Sequence, residues 1–169
     1  MKIVVGILVT ALGAVLAAGA HAADTAAAAL QPASGSKASG RINFAQDGDL
    51  VRVTGEVRGL SPGAHGFHLH EKGDCSAPDA KSAGAHFNPT GSKHGGPGGA
   101  PRHAGDFGNI TADSSGTAKI NLTASGVSVA RDKPESVVGK AVVVHAKQDD
   151  LKTDPAGDSG DRIACGVVK

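Results

Sequence analysis

Apolar and polar residues alternate only in short stretches along this chain, with a period of two rather than of three to four. Ile42 and Phe44 alternate with polar neighbours, Asp47-Gly48 marks a turn, and Val51, Val53 and Val57 resume the alternation, which predicts a hairpin. Ser61-Pro62-Gly63 marks a second turn, and a strand is predicted from Gly66 to Glu71. Further strands are predicted at Ala26–Gln31, Asn109–Ala112, Thr117–Thr123, Lys140–Ala146 and Arg162–Val168, with Asp113-Ser114-Ser115-Gly116 turning between two of them. Eight short strands with almost no helical periodicity describe an all-β chain folded as an antiparallel sandwich or barrel.

Two stretches do not alternate. Lys72–Gly108 is built mostly of Gly, Pro, Ser, Asp, His and Ala, and Lys147–Asp161 is a second loop ahead of the closing strand. Ordered loops of such length in a compact domain are usually functional. The first 22 residues form a third kind of segment: Met1-Lys2, an apolar run from Ile3 to Ala20, then the small-x-small pattern Ala20-His21-Ala22. That order is expected of a signal peptide cleaved after Ala22, with residues 23–169 as one domain and a periplasmic or secreted destination. An uncleaved anchor is the weaker reading, so no membrane attachment is expected after cleavage.

Composition narrows the function classes. The formal net charge is +1 and falls to zero without Lys2, which argues against nucleic acid as a partner. There is no Trp or Tyr and only four Phe, so the core must rest on Val, Ile, Leu and Ala. The two cysteines, Cys75 and Cys165, are expected to pair in an oxidising compartment.

The chemistry lies in the histidines. His68 and His70 stand two apart on a strand, hence on one face, where two imidazoles can ligate one metal. His86, His94, His103 and Asp106 follow in the Gly-rich loop, and three imidazoles with one carboxylate complete a four-coordinate zinc set. His145, remote in sequence, can join the first pair, and all-imidazole ligation suits copper.

These residues sit in motifs that resemble the copper/zinc superoxide dismutase family. Gly63-Ala64-His65-Gly66-Phe67-His68-Leu69-His70-Glu71-Lys72-Gly73-Asp74 resembles its copper strand, and Ser82-Ala83-Gly84-Ala85-His86-Phe87-Asn88-Pro89 its zinc loop. His103-Ala104-Gly105-Asp106, Val143-Val144-His145 and Arg162-Ile163-Ala164-Cys165-Gly166-Val167 match three further signatures in the same order. The resemblance covers roughly Ala26–Lys169. It implies an eight-stranded Greek-key architecture with two long functional loops, and copper and zinc as cofactors. It assigns copper to His68, His70, His86 and His145, and zinc to His86, His94, His103 and Asp106, so that His86 is shared. Asp149 resembles the carboxylate that links a copper-side to a zinc-side histidine, with Asp150 as the fallback, and His65 matches a structural position. Superoxide is the implied substrate, dismutated to dioxygen and hydrogen peroxide, with His86 handling a proton and Arg162 docking the anion. The alternative role for Arg162 is a surface ion pair with Asp158 or Asp161.

Two departures bear on the transfer. Cys75 directly follows Gly73-Asp74, an arrangement that resembles bacterial periplasmic members, and Ala156–Asp161 lacks the Thr that often lines the family's channel. Association as a homodimer stays open. Two rival functions are weighed: a non-catalytic periplasmic copper/zinc-binding or buffering protein, and a periplasmic zinc hydrolase, which needs an open coordination position and a general base beside it; Glu71, next to His70, falls on the opposite strand face. Asn109-Ile110-Thr111 and Asn121-Leu122-Thr123 have the form of glycosylation sequons, accidental in a bacterial protein.

Overall fold

A computed structural model describes residues 24–169. The segment expected to be a signal peptide, residues 1–22, lies outside the described residues. Eight strands follow in order: β1 (Thr25–Pro32), β2 (Ser39–Asp47), β3 (Leu50–Arg58), β4 (Gly63–His70), β5 (Asp106–Ala112), β6 (Ala118–Ala124), β7 (Ala141–His145) and β8 (Arg162–Val167). One turn of 3₁₀-helix, Lys81–Ala83, interrupts the first long loop.

The strands form a single antiparallel sheet in the order β5-β4-β7-β8-β1-β2-β3-β6. Its two edge strands, β5 and β6, pack against each other, so the sheet curls into a nearly closed barrel. The β3–β4 and β6–β7 connections both cross to a distant part of the sheet, as Greek-key topology requires.

The barrel interior is what the alternation predicts. Ile42 and Phe44 of β2, Val51, Val53 and Val57 of β3, Phe67 and Leu69 of β4, and Val142 and Val144 of β7 are buried in one cluster. Each such side chain contributes roughly 1.5–3 kcal/mol of transfer free energy, so nine of them dominate the stability of a chain this poor in aromatics. On β4 and β7 the opposite face is buried too. His68 and His70 lie there, together with Ala141, Val143 and His145, because the two long loops fold over this side of the barrel. The rule of two along each strand thus sends Phe67 and Leu69 to the apolar core and their histidine neighbours to a second, loop-covered compartment.

Strand ends differ from the sequence reading mainly at β4 and β5. β5 begins at Asp106 rather than Asn109, since Asp106 stands opposite His68 in the β4–β5 register across a bulge. The sequence Gly105-Asp106-Phe107-Gly108 reads as loop, but Phe107 is buried in the core and anchors the strand start.

Candidate metal centre

Four imidazoles meet at the loop-covered face. His68 and His70 come from β4, His145 from the end of β7, and His86 from the long loop, where it makes a bridge with His70. One ligand atom from each lies within 4.8 Å of all the others, and all four residues are buried. The His68 and His86 rings are 4.1 Å apart between centroids, and those of His70 and His145 are 5.7 Å apart.

Hydrogen bonds on the far side of three rings decide which nitrogen is free. His68 Nε2–H donates to Asp149 Oδ2 at 2.8 Å, His70 Nδ1–H to the Gly84 carbonyl at 3.0 Å, and His145 Nδ1–H to the Gly160 carbonyl at 3.1 Å. A neutral imidazole that donates from one nitrogen keeps a bare lone pair on the other. Those nitrogens, His68 Nδ1, His70 Nε2 and His145 Nε2, have no hydrogen-bond partner, and neither has His86 Nε2. Four buried lone pairs pointing at one another without a proton between them are unfavourable unless a cation stands at their focus. Burial, before all else, pushes His68 and His70 well below the ordinary histidine pKa and lowers His145 to about 4, so the rings are neutral and ready to ligate at neutral pH.

A second cluster shares His86. Its Nδ1 lies 2.8 Å from Asp106 Oδ1, and His94 Nδ1 and His103 Nδ1 lie 3.1 and 3.2 Å from the same oxygen. His103 Nδ1 and His86 Nδ1 are 3.5 Å apart. A tetrahedral zinc with bonds of about 2.0–2.2 Å needs ligand separations of about 3.3–3.6 Å, so a zinc ion fits here with little rearrangement. His94 supplies the chemical argument. It donates from Nε2 to Asp149 Oδ1 at 2.9 Å, which leaves a bare Nδ1 facing a carboxylate oxygen. Lone pair against lone pair at that distance calls for a cation. The other carboxylate oxygen of Asp106 is already committed, accepting backbone N–H groups from Gly95 and His103. Burial of Asp106 opposes its ionisation, but the His86 imidazole and these two N–H groups outweigh it and hold the carboxyl at about 2.

Asp149 touches both clusters. Fully buried, it accepts from His68 with one oxygen and from His94 with the other. Asp150 is exposed and instead accepts from Thr153. Gly157, at φ +64°, comes so close to Asp149 that any Cβ would overlap its Oδ1. His65 belongs to neither cluster: one ring nitrogen faces the His145 carbonyl at 2.8 Å and the other the Ser61 carbonyl at 2.9 Å.

Arg162 stands half-buried at the start of β8, where register places it beside His145. Its guanidinium donates to the Ala80 carbonyl at 2.9 Å and the Gly84 carbonyl at 2.7 Å. Among the described residues no carboxylate forms a salt bridge with it, neither Asp158 nor Asp161; two neutral carbonyls hold the guanidinium, and Asp79 reaches it only through its field. Gly84 therefore serves Arg162 and His70 through one oxygen. Its backbone, φ 75° and ψ −153°, is open only to glycine. Cys75 and Cys165 form a disulfide that ties the start of the first long loop to β8. Glu71 lies just beyond β4, exposed, and accepts from the Ala85 N–H.

Side-chain types could not reveal the carbonyls of Gly84 and Gly160. Backbone acceptors carry no sequence signature beyond the glycine that lets the chain bend there. Asn109 was legible only as a sequon, yet it contacts Asp149 directly.

Comparison with known proteins agrees with the fold. Residues 38–168 match the family model described as copper/zinc superoxide dismutase. A curated relative, the extracellular superoxide dismutase [Cu-Zn] of Brugia pahangi, is 44% identical, with 77% of this chain and 68% of that protein aligned. Among solved structures, a crystal structure of the clock protein EA4 superposes with a TM-score of 0.78 at 38% identity, covering 90% of this chain and 98% of the other.

Proposed function

The chain belongs to the copper/zinc superoxide dismutase family and converts superoxide to dioxygen and hydrogen peroxide with copper and zinc, and on that premise we propose which of its residues do the work. His68, His70, His86 and His145 hold copper; His86, His94, His103 and Asp106 hold zinc. The observation that carries this reading is His86 itself, whose Nε2 faces one cluster of bare nitrogens while its Nδ1 faces the other.

Copper supplies one-electron oxidation and reduction, and redox-silent zinc supplies fixed charge and geometry. The chain's own groups do the rest. Two superoxide anions and two protons become one dioxygen and one hydrogen peroxide, so each turnover must bring anions in and deliver protons. Arg162, charged at any working pH and in no salt bridge with a carboxylate among the described residues, docks the anion beside the copper set. The rings of His68, His70 and His145 are each locked on their far side by an oxygen acceptor, which fixes tautomer and orientation. His86 has no such acceptor apart from the zinc set, so its Nε2 is the ligand nitrogen free to take up a proton and pass it to the reduced substrate. Solvent at the mouth supplies the second proton. Asp149 holds His68 and His94 in a fixed relation and so couples the two sites.

A buffering protein without catalysis is not favoured, because storage of copper gives no reason to hold a guanidinium beside it. Glu71, exposed and outside both clusters, is no base for zinc hydrolysis. The disulfide and the extracellular relative support export. We assign the mature protein to the periplasm, beginning at Ala23 after cleavage at Ala22. The mass of the exported chain tests that start.

The functional test is metal content and superoxide consumption measured on one preparation. One copper and one zinc per chain, with turnover lost on copper removal and regained on copper addition, is the expected result. Full copper loading without turnover would overturn the assignment.

A further inference from the structure

Asp149 can join the two clusters only if its backbone is held still, since both carboxylate oxygens must meet ring N–H groups at the same time. It sits in the second loop, four residues past the end of β7 and two before Leu151, whose φ of +63° is unusual for a branched residue. Loop residues of this kind need an external anchor.

Asn109 supplies one. Its Nδ2–H donates to the Asp149 carbonyl at 2.9 Å, and its Oδ1 accepts the Asp149 N–H at 2.8 Å. The carboxamide thus imitates a strand partner, satisfying both backbone groups of one loop residue. Asn109 itself is fixed in β5, opposite Gly66 of β4 and three residues after Asp106. The strand that carries the zinc carboxylate therefore also grips the residue that orients His94 and His68. The sequon form of Asn109-Ile110-Thr111 is misleading here, since both functions of the Asn109 amide are already engaged. Asn121, by contrast, is exposed on β6.

From this geometry we propose that Asn109 is a positioning residue for the metal centre, acting through Asp149 to hold the His94 ring at the zinc set. The inference rests on the assignment of His94 to zinc. It touches no metal and no substrate, so its effect must pass entirely through Asp149.

That requirement makes a thermodynamic cycle decisive. Zinc affinity is measured by competition with a colorimetric chelator in the disulfide-intact protein, for wild type, Asn109→Ala, Asp149→Ala and the double variant. Cobalt(II) absorption at the same site serves as a spectroscopic check on ligand geometry. Loss of an outer-shell partner typically costs about 10- to 100-fold in metal affinity. Asn109→Ala is expected to weaken zinc by roughly that factor and to alter the cobalt spectrum, Asp149→Ala by at least as much, and the double variant no further than Asp149→Ala alone. Should Asn109→Ala fail to fold, Asn109→Asp is read instead. It keeps the volume and the acceptor but sets an oxygen against the Asp149 carbonyl, so zinc should weaken again. Wild-type zinc affinity in the Asn109 variants, with Asp149→Ala impaired, overturns the inference. So does full additivity in the cycle. Wild-type affinity in Asp149→Ala would instead remove the zinc assignment of His94 on which the inference stands.

Discussion

Reversing the charge at Arg162 separates docking of the anion from binding of the metals. The guanidinium is held by two carbonyls and forms no salt bridge with a carboxylate among the described residues, though Asp79 acts on it from a distance, so its charge remains available to an incoming monoanion. At about 4 Å the attraction is worth roughly 1 kcal/mol in bulk water and roughly 4 kcal/mol at an effective dielectric of 20; for a half-exposed group, about 1–2 kcal/mol is appropriate. Arg162→Ala should then slow turnover about 5- to 30-fold at low ionic strength. Arg162→Glu replaces attraction by repulsion, doubling the energy, and should slow it roughly 30- to 1000-fold. Such charge steering raises encounter rates in a cleft, for which superoxide dismutase is itself a standard example. The assay is superoxide consumption against salt, with copper and zinc determined in each sample. Near 10 mM salt the screening length is about 30 Å and near 1 M about 3 Å, so the gap between wild type and the Glu variant should shrink as salt is added. Arg162→Lys keeps the charge but cannot grip both carbonyls, and should fall between wild type and Ala. Wild-type turnover of fully metallated Arg162→Glu at low salt would refute the docking role.

Gly84→Ala should destabilise the protein by about 1–3 kcal/mol, because alanine strains the backbone at φ 75°, ψ −153°, and should lower copper affinity and turnover together, since one carbonyl serves both His70 and Arg162. Denaturant unfolding with metal analysis checks this, and unchanged copper affinity would contradict it. In the metal-free protein the unfolded chain binds protons at histidine below about pH 6.5, whereas buried His145 does so only near 4. Its contribution is therefore fully present above 6.5 and lost as pH falls towards 4, a loss of about 3 kcal/mol, with His68 and His70 acting in the same direction. A thermal midpoint of the chelated protein that stays flat from pH 7 to 4.5 would count against the buried, neutral rings. Cys75→Ser combined with Cys165→Ser opens a crosslink spanning 90 residues and should cost about 4–5 kcal/mol in the chain-entropy model, measured by denaturant unfolding. A loss under about 1 kcal/mol would show that the crosslink contributes little.

Much of this was legible in the chain because two periodicities coincide. The period of two that sends Phe67 and Leu69 inward also sends His68 and His70 to the face under the loops, so strand prediction and ligand prediction were one reading. The His86–Asp106 set was legible from residue type and spacing, because few functions other than ligation call for three imidazoles and a carboxylate in a Gly-rich loop. The limits came where backbone does the work. Nothing in Ser82-Ala83-Gly84 announces a carbonyl shared by His70 and Arg162, and Gly105-Asp106-Phe107-Gly108 reads as loop although a core phenylalanine anchors the start of β5 there. Asp149 and Asp150 are adjacent and chemically alike. They differ in the fold because Asn109 and Gly157 receive only the first.

The central claim is that one imidazole, His86, is shared by both metals. It is tested most directly by loading copper(II) at both sites and recording the electron paramagnetic resonance signal per chain. A bridging imidazolate couples the two unpaired electrons, so the account predicts a signal far below that of two independent copper ions, restored to one full copper signal when zinc occupies the second site. Two copper(II) ions per chain giving two full, additive signals would contradict it.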